Sequence, residues 1–185
     1  MTDVKHMKWW GWGNEGVGFH WQDKPGFADF VQYAVGLDLH TAEPVGMPSF
    51  DKMTIPKSLA PKPLLAQLAT IVGEGNVTTD DMERVVHVYG KSLRDLVRIR
   101  ANQVKRYPDV VVYPADEAEV QKIVDAAVAA DVVIIPFGGG SNIASSLEPR
   151  SDESRVVLSL DMGRMRELID IDEESGLARI QAGAL

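Results

Sequence analysis

Residues 132–149 read Val132-Val133-Ile134-Ile135-Pro136-Phe137-Gly138-Gly139-Gly140-Ser141-Asn142-Ile143-Ala144-Ser145-Ser146-Leu147-Glu148-Pro149. Four β-branched residues in succession suit a buried strand, and Pro136 ends it because proline cannot donate to a sheet ladder. Three consecutive glycines follow, free to take positive φ and carrying no Cβ. Successive backbone N–H groups can therefore converge on an anion such as a phosphate, with Ser141 and Asn142 adding short side-chain donors. The stretch departs from the commoner phosphate motifs. Ile143 stands where a dinucleotide fingerprint needs its third glycine, and no Gly-Lys-Ser/Thr follows. A plain flexible strand-to-loop turn is the alternative.

Working outward, Val110-Val111-Val112-Tyr113 forms a second strand, and Asp116 with Glu119 caps a helix whose apolar face is Val120, Ile123, Val124 and Ala127. Strand, helix and strand make a β–α–β unit, for which a parallel pair with a right-handed crossover is expected. Arg155 to Leu160 supply a third strand. Residues 167–171 and 177–181 flank Asp172-Glu173-Glu174-Ser175-Gly176, a hairpin signal in which Gly176 supplies positive φ. Upstream, Leu64, Leu65, Leu68, Ile71 and Val72 space out as a helix, Asp80-Asp81-Met82-Glu83 and Ser92-Leu93-Arg94-Asp95 read as helix caps, and Pro25 precedes an apolar helical face from Phe27. Pro44, Pro48, Pro56, Pro61 and Pro63 mark residues 41–63 as a connector.

Three tryptophans stand between residues 9 and 12, interleaved with glycine, and Trp21 follows. Such a run cannot form a regular amphipathic helix, so residues 1–25 are expected to be an extended strap whose rings plug into the body of the protein. The competing possibility is an exposed aromatic surface for a lipid or a partner. The fold class is α+β, with a strap at 1–25, a helical segment at 26–106 and an α/β subdomain at 107–185.

Composition excludes several classes. Nineteen Lys plus Arg against 27 Asp plus Glu give a net charge of −8, which disfavours nucleic-acid and anionic-membrane partners. No cysteine is present, so disulfides, thiolate nucleophiles and cysteine-ligated metals are ruled out. No apolar run reaches the length of a transmembrane segment and the N-terminus lacks a signal-peptide pattern, which points to the cytoplasm. The histidines, His6, His20, His40 and His87, lack metal-ligand spacing, so no metal is expected and each is read as a surface or packed residue. The runs Asp116-Glu117, Asp152-Glu153 and Asp170 to Glu174 sit at caps and turns, where solvated charge accounts for them.

Pro-Phe-Gly-Gly-Gly-Ser-Asn after a hydrophobic strand resembles the pyrophosphate-binding loop of the FAD-binding fold shared by vanillyl-alcohol oxidase and p-cresol methylhydroxylase. Tyr107 to Asp116 and the helix after it are similar to that fold's opening strand and helix. Within the superfamily the alkyldihydroxyacetonephosphate synthase family pairs this loop with Met-Lys-Trp-x-Gly-Trp-Gly, matched here by residues 7–13. It also carries Gly-x-Ser-x-x-Asp-Leu, matched by Gly90-Lys91-Ser92-Leu93-Arg94-Asp95-Leu96. The resemblance covers residues 7–15 and 84–185 and implies a p-cresol methylhydroxylase-type FAD-binding domain. It implies that Pro136, Phe137, Gly138, Gly139, Gly140, Ser141, Asn142 and Ile143 wrap the FAD pyrophosphate, and that Ala182 and Gly183 approach the cofactor from a neighbouring strand. Some family flavins are covalently attached through a histidine near this loop. No histidine follows His87, so non-covalent FAD is expected.

The same resemblance implies an enzyme of ether-lipid synthesis that exchanges the acyl chain of acyl-dihydroxyacetone phosphate for a fatty alcohol, acting on a lipid-like substrate and as a homodimer. Family enzymes are much longer, so the chain is expected to be the N-terminal part of such an enzyme, inactive alone, with its catalytic residues beyond Leu185. Two alternatives stand beside it. One is an FAD-dependent oxidoreductase of the superfamily acting on a 2-hydroxy acid such as D-lactate or glycolate, because fold and cofactor do not fix the reaction. The other is a non-catalytic binding module.

Overall fold

The structure is a computed structural model that describes residues 7–14, 17–42 and 48–184. Part of the strap expected over residues 1–25, and part of the connector, lie outside the described residues. A short helix α1 (Phe27–Val35) starts and ends at left-handed glycines, Gly26 and Gly36. Helix α2 (Lys62–Val72) carries proline in its first turn, where the missing N–H costs nothing, and stops at Gly73. Strand β1 (Val77–Thr78) leads to α3 (Asp81–Val86), whose first amides are held by the Asp80 carboxylate at 2.9 and 3.1 Å. Helix α4 (Leu93–Arg100) is capped by Ser92. Then come β2 (Val110–Val112), α5 (Glu117–Ala129) capped by Asp116, β3 (Val133–Phe137), β4 (Val157–Asp161), and the hairpin β5 (Leu168–Asp172) and β6 (Leu177–Ile180).

The first four strands form one sheet in the order β1-β2-β4-β3, antiparallel between β1 and β2 and parallel elsewhere. β2 and β3 are parallel, as the β–α–β pattern requires, but β4 lies between them. The reason is burial and hydrogen bonding. Every residue of β4 is buried, so it takes the centre, whereas Pro136 exposes itself at the edge where its missing N–H breaks no ladder. The consequence departs from expectation: Val133, Ile134 and Ile135 are only half-buried.

Strand alternation sends Val110, Val112, Leu158 and Leu160 to one face, where Leu64, Leu68 and Val72 of α2 and Ile123 of α5 complete a core. This core crosses the boundary expected at residue 106. A second core gathers Trp9, Val85, Val86, Val88, Tyr89, Ile99 and Tyr107. Trp9 is thus a plug, with its ring edge-on to Phe50 at 5.6 Å. Its neighbours are not: Trp10 is half-buried between the cations of Lys8 and Arg100, and Trp12 is 58% exposed. Only the first ring of the strap behaves as expected, because a turn with the Met7–Asn14 bridge cannot point every ring inward.

The hairpin turns at Gly176, with φ +69, as its sequence predicts. It stands apart from the sheet, and all its residues are exposed. No described helix is long and apolar enough to cross a membrane.

Candidate functional site

The parallel strands β2, β4 and β3 end together, and the glycine turn leaves the last of them. Ligands of open α/β sheets bind in such a position, beyond the carboxyl ends of the strands. The turn wraps the buried ring of Phe137. Gly140 has φ +67, and a Cβ there would stand 2.7 Å from Phe137 Cζ, so glycine is required twice over. Gly138 is exposed, and a Cβ on it would lie 3.3 Å from the Ala182 carbonyl oxygen, so the glycine turn and the chain after β6 meet.

Among the described residues, none accepts a hydrogen bond from the backbone amides of Gly139, Gly140 or Ser141. Successive amides that the protein leaves unspent are available to an anion such as a pyrophosphate. No carboxylate occurs from residue 132 to residue 147, so nothing in the turn's own sequence repels that charge. The first one after it, Glu148, is held by the fork of Arg98, which keeps its carboxyl below the usual range.

The predicted residues divide by use. Ser141 is exposed, with its hydroxyl available to a ligand, and Ile143 is 72% exposed. Asn142 differs from expectation. Its side-chain oxygen accepts from the amides of Ala144 and Ser146 at 3.0 and 3.2 Å, and its amide donates to the Ser146 hydroxyl at 2.6 Å. A short polar side chain can bond its own backbone two to four residues on, and here it braces the loop from within. Gly183 is buried, donates to Met165 O at 2.8 Å, and has no room for a side chain against the Met162 carbonyl.

Four supporting residues escaped the sequence. His87 and Asp161 are both 1% exposed and bonded Nε2 to Oδ2 at 2.8 Å. The imidazole lies 4.2 Å from the Phe137 ring, while the other Asp161 oxygen accepts from Gly163 N at 2.6 Å. This pair therefore ties the base of the glycine turn to the segment against which Gly183 packs. Tyr113 lies 6.0 Å from His87 and donates to Glu83 at 2.7 Å, and burial with that bond pushes its phenol well above the ordinary range. Asp161 could have been suspected, since it closes a parallel strand at the ligand edge. His87 carries no comparable signal. The fourth, Lys91, is 8% exposed, and burial lowers its ammonium pKa to about 8.

A glycine turn with unspent amides at the carboxyl edge of a largely parallel sheet is the kind of place where nucleotide cofactors bind. Residues 108–185 match the family model described as FAD binding domain, and FAD is the cofactor this match supports. The chain is similar along its whole length, at 32% identity, to alkyldihydroxyacetonephosphate synthase of Trypanosoma brucei brucei, of which it spans 33%. It is 46% identical to the synthase of Dictyostelium discoideum over 57% of the chain and 17% of that protein. A solved structure of alkyldihydroxyacetonephosphate synthase superposes with TM-score 0.82 at 30% identity, covering 96% of this chain and 36% of the other. The chain thus spans about a third of the length of the first of these relatives, and the helix-and-sheet fold expected from the sequence is the fold they share.

Proposed function

We propose that this chain forms the FAD-holding part of an enzyme of the alkyldihydroxyacetonephosphate synthase type. Such an enzyme exchanges the acyl chain of acyl-dihydroxyacetone phosphate for a fatty alcohol. The observation that carries this reading is that the likeness runs through the tryptophan segment as well as the glycine turn, at 32% identity over the whole chain. A glycine turn alone would support only an FAD protein.

Within that reading, the amides of Gly139, Gly140 and Ser141 and the Ser141 hydroxyl bind the pyrophosphate. Pro136, Phe137, Gly138, Asn142 and Ile143 shape the turn, and Ala182 and Gly183 line its far side. Binding is non-covalent, as no histidine lies between residues 88 and 185. When bound, the flavin supplies the electrophilic ring chemistry, and this chain's residues place and orient it. The cofactor domain comprises residues 107–185, preceded by the helical segment 26–106 and the strap 1–25. A lipid-like substrate, a cytoplasmic setting and a homodimer complete the proposal.

The first test is the absorbance spectrum of the purified chain before and after FAD is added, beside a Gly139→Asp variant that puts a carboxylate into the cradle. A flavin band lost in the variant is expected; no band in either would mean that this chain alone does not form the site. The reaction is tested on the longer polypeptide that contains this chain. Given acyl-dihydroxyacetone phosphate and a long-chain alcohol, it should release fatty acid. Bleaching of its flavin by D-lactate or glycolate without air would instead make it an oxidoreductase.

A further inference from the structure

We propose that the N-terminal tryptophan segment is a positioning element of the cofactor site, holding the glycine turn in its anion-binding shape through Lys91. The inference rests on the assignment of that turn to FAD. The two stretches are far apart in sequence, yet one residue joins them by three separate bonds.

On the side of the turn, Lys91 N donates to the Asn142 carbonyl at 2.7 Å. Gly90 makes this approach possible, since a Cβ there would collide with the same carbonyl. Asn142 follows directly on the unspent amides, and its side chain braces residues 144–146. A shift of its carbonyl is therefore carried into the turn. On the side of the strap, the Trp12 indole N–H donates to the Lys91 carbonyl at 3.0 Å, and the Lys91 ammonium donates to the Lys8 carbonyl at 2.6 Å.

The strap can bear such a load because it is itself closed and anchored. Lys8 N donates to Gly13 O at 2.8 Å, Met7 bridges Asn14, Arg100 Nε donates to Trp10 O at 2.8 Å, and Trp9 is buried in the second core. Lys8 and Trp12 thus grip Lys91 from one rigid turn. Trp12 is more than half exposed, so its ring contributes little to the core while its N–H is committed. A free glycine turn samples many shapes, and a ligand's affinity falls by the fraction that is competent to bind. Strap contacts that raise this fraction strengthen FAD binding without touching FAD.

The test titrates the unaltered chain and three variants with FAD, following flavin fluorescence, and measures exchange of the Lys91 amide and the Trp12 indole N–H. Trp12→Phe keeps a ring and removes the donor, Lys91→Met keeps the stem and removes the ammonium, and Tyr33→Ser on the exposed α1 is the control. Loss of one such bond is expected to raise the FAD dissociation constant about three- to tenfold and to speed Lys91 amide exchange similarly, with the control unchanged. Coupling is reciprocal, so FAD must also slow exchange at the Trp12 indole of the unaltered chain, a measurement that needs no variant. An indole indifferent to FAD, or variants with faster amide exchange but unaltered affinity, would overturn the proposal. An unaltered chain that binds no FAD refutes FAD binding by this chain alone, and this inference with it.

Discussion

Gly140→Ala offers the sharpest trial of the glycine turn. The backbone at residue 140 has φ +67, a conformation that costs an alanine about 1–2 kcal/mol. Its new methyl would stand 2.7 Å from Phe137 Cζ. The ring cannot retreat freely, because it is buried against the His87 imidazole at 4.2 Å. Overpacking of this kind costs about 1–3 kcal/mol. Together the two terms disfavour the native turn by about 2–5 kcal/mol. If that turn is the conformation that binds, the FAD dissociation constant should rise roughly thirtyfold or more, at 1.4 kcal/mol per factor of ten. Titration by flavin fluorescence reads the affinity, and urea unfolding followed by tryptophan emission reads the stability. The turn is at an edge strand, so the chain can open it locally and lose less global stability than affinity. A Gly140→Ala protein that binds FAD as tightly as its parent would refute the claim that this turn holds the cofactor in the conformation seen here.

Three further outcomes are expected. Burial lowers Lys91 to about 8, whereas the unfolded chain keeps its proton to about 10.4, so the unfolded state binds more protons between these values and stability rises with pH across that window. Relative to Lys91→Met, the parent should gain up to about 3 kcal/mol from pH 7.5 to 10 in urea titrations, and a constant difference would contradict the burial of the ammonium. His87→Leu removes the partner of a buried carboxylate and should cost about 2–3 kcal/mol, with weakened FAD binding as the turn loses its brace; thermal unfolding and flavin titration check the two effects. In the hairpin, Leu168, Ile169, Ile171, Leu177 and Ile180 are each more than half exposed, a patch that favours self-association. Ile171→Lys with Leu177→Lys should reduce the concentration dependence of sedimentation, and an unchanged profile would show that the hairpin is not the sticky surface.

Much of this protein was legible before folding. The strand-to-glycine transition at 132–142 depends on steric preferences of adjacent residues, and such preferences act locally. The caps at Asp80, Ser92 and Asp116 and the turn at Gly176 are local in the same sense, and the structure shows each of them. The order of strands was not legible. It follows from which strand loses least at an edge, a comparison between β3 with its proline and the wholly buried β4 that no single window contains.

The sequence by itself determined that a hydrophobic strand runs into a glycine turn with short polar residues after it, because hydrogen-bonding capacity and φ freedom belong to residues and their immediate neighbours. Only the tertiary structure decided what supports that turn. His87 reaches Asp161 and Phe137, Asn142 spends its side chain on its own loop, and Lys91 binds strap and turn together. These partners are distant along the chain, and what fixes them is the packing of two cores against one sheet, a cooperative outcome to which every element contributes.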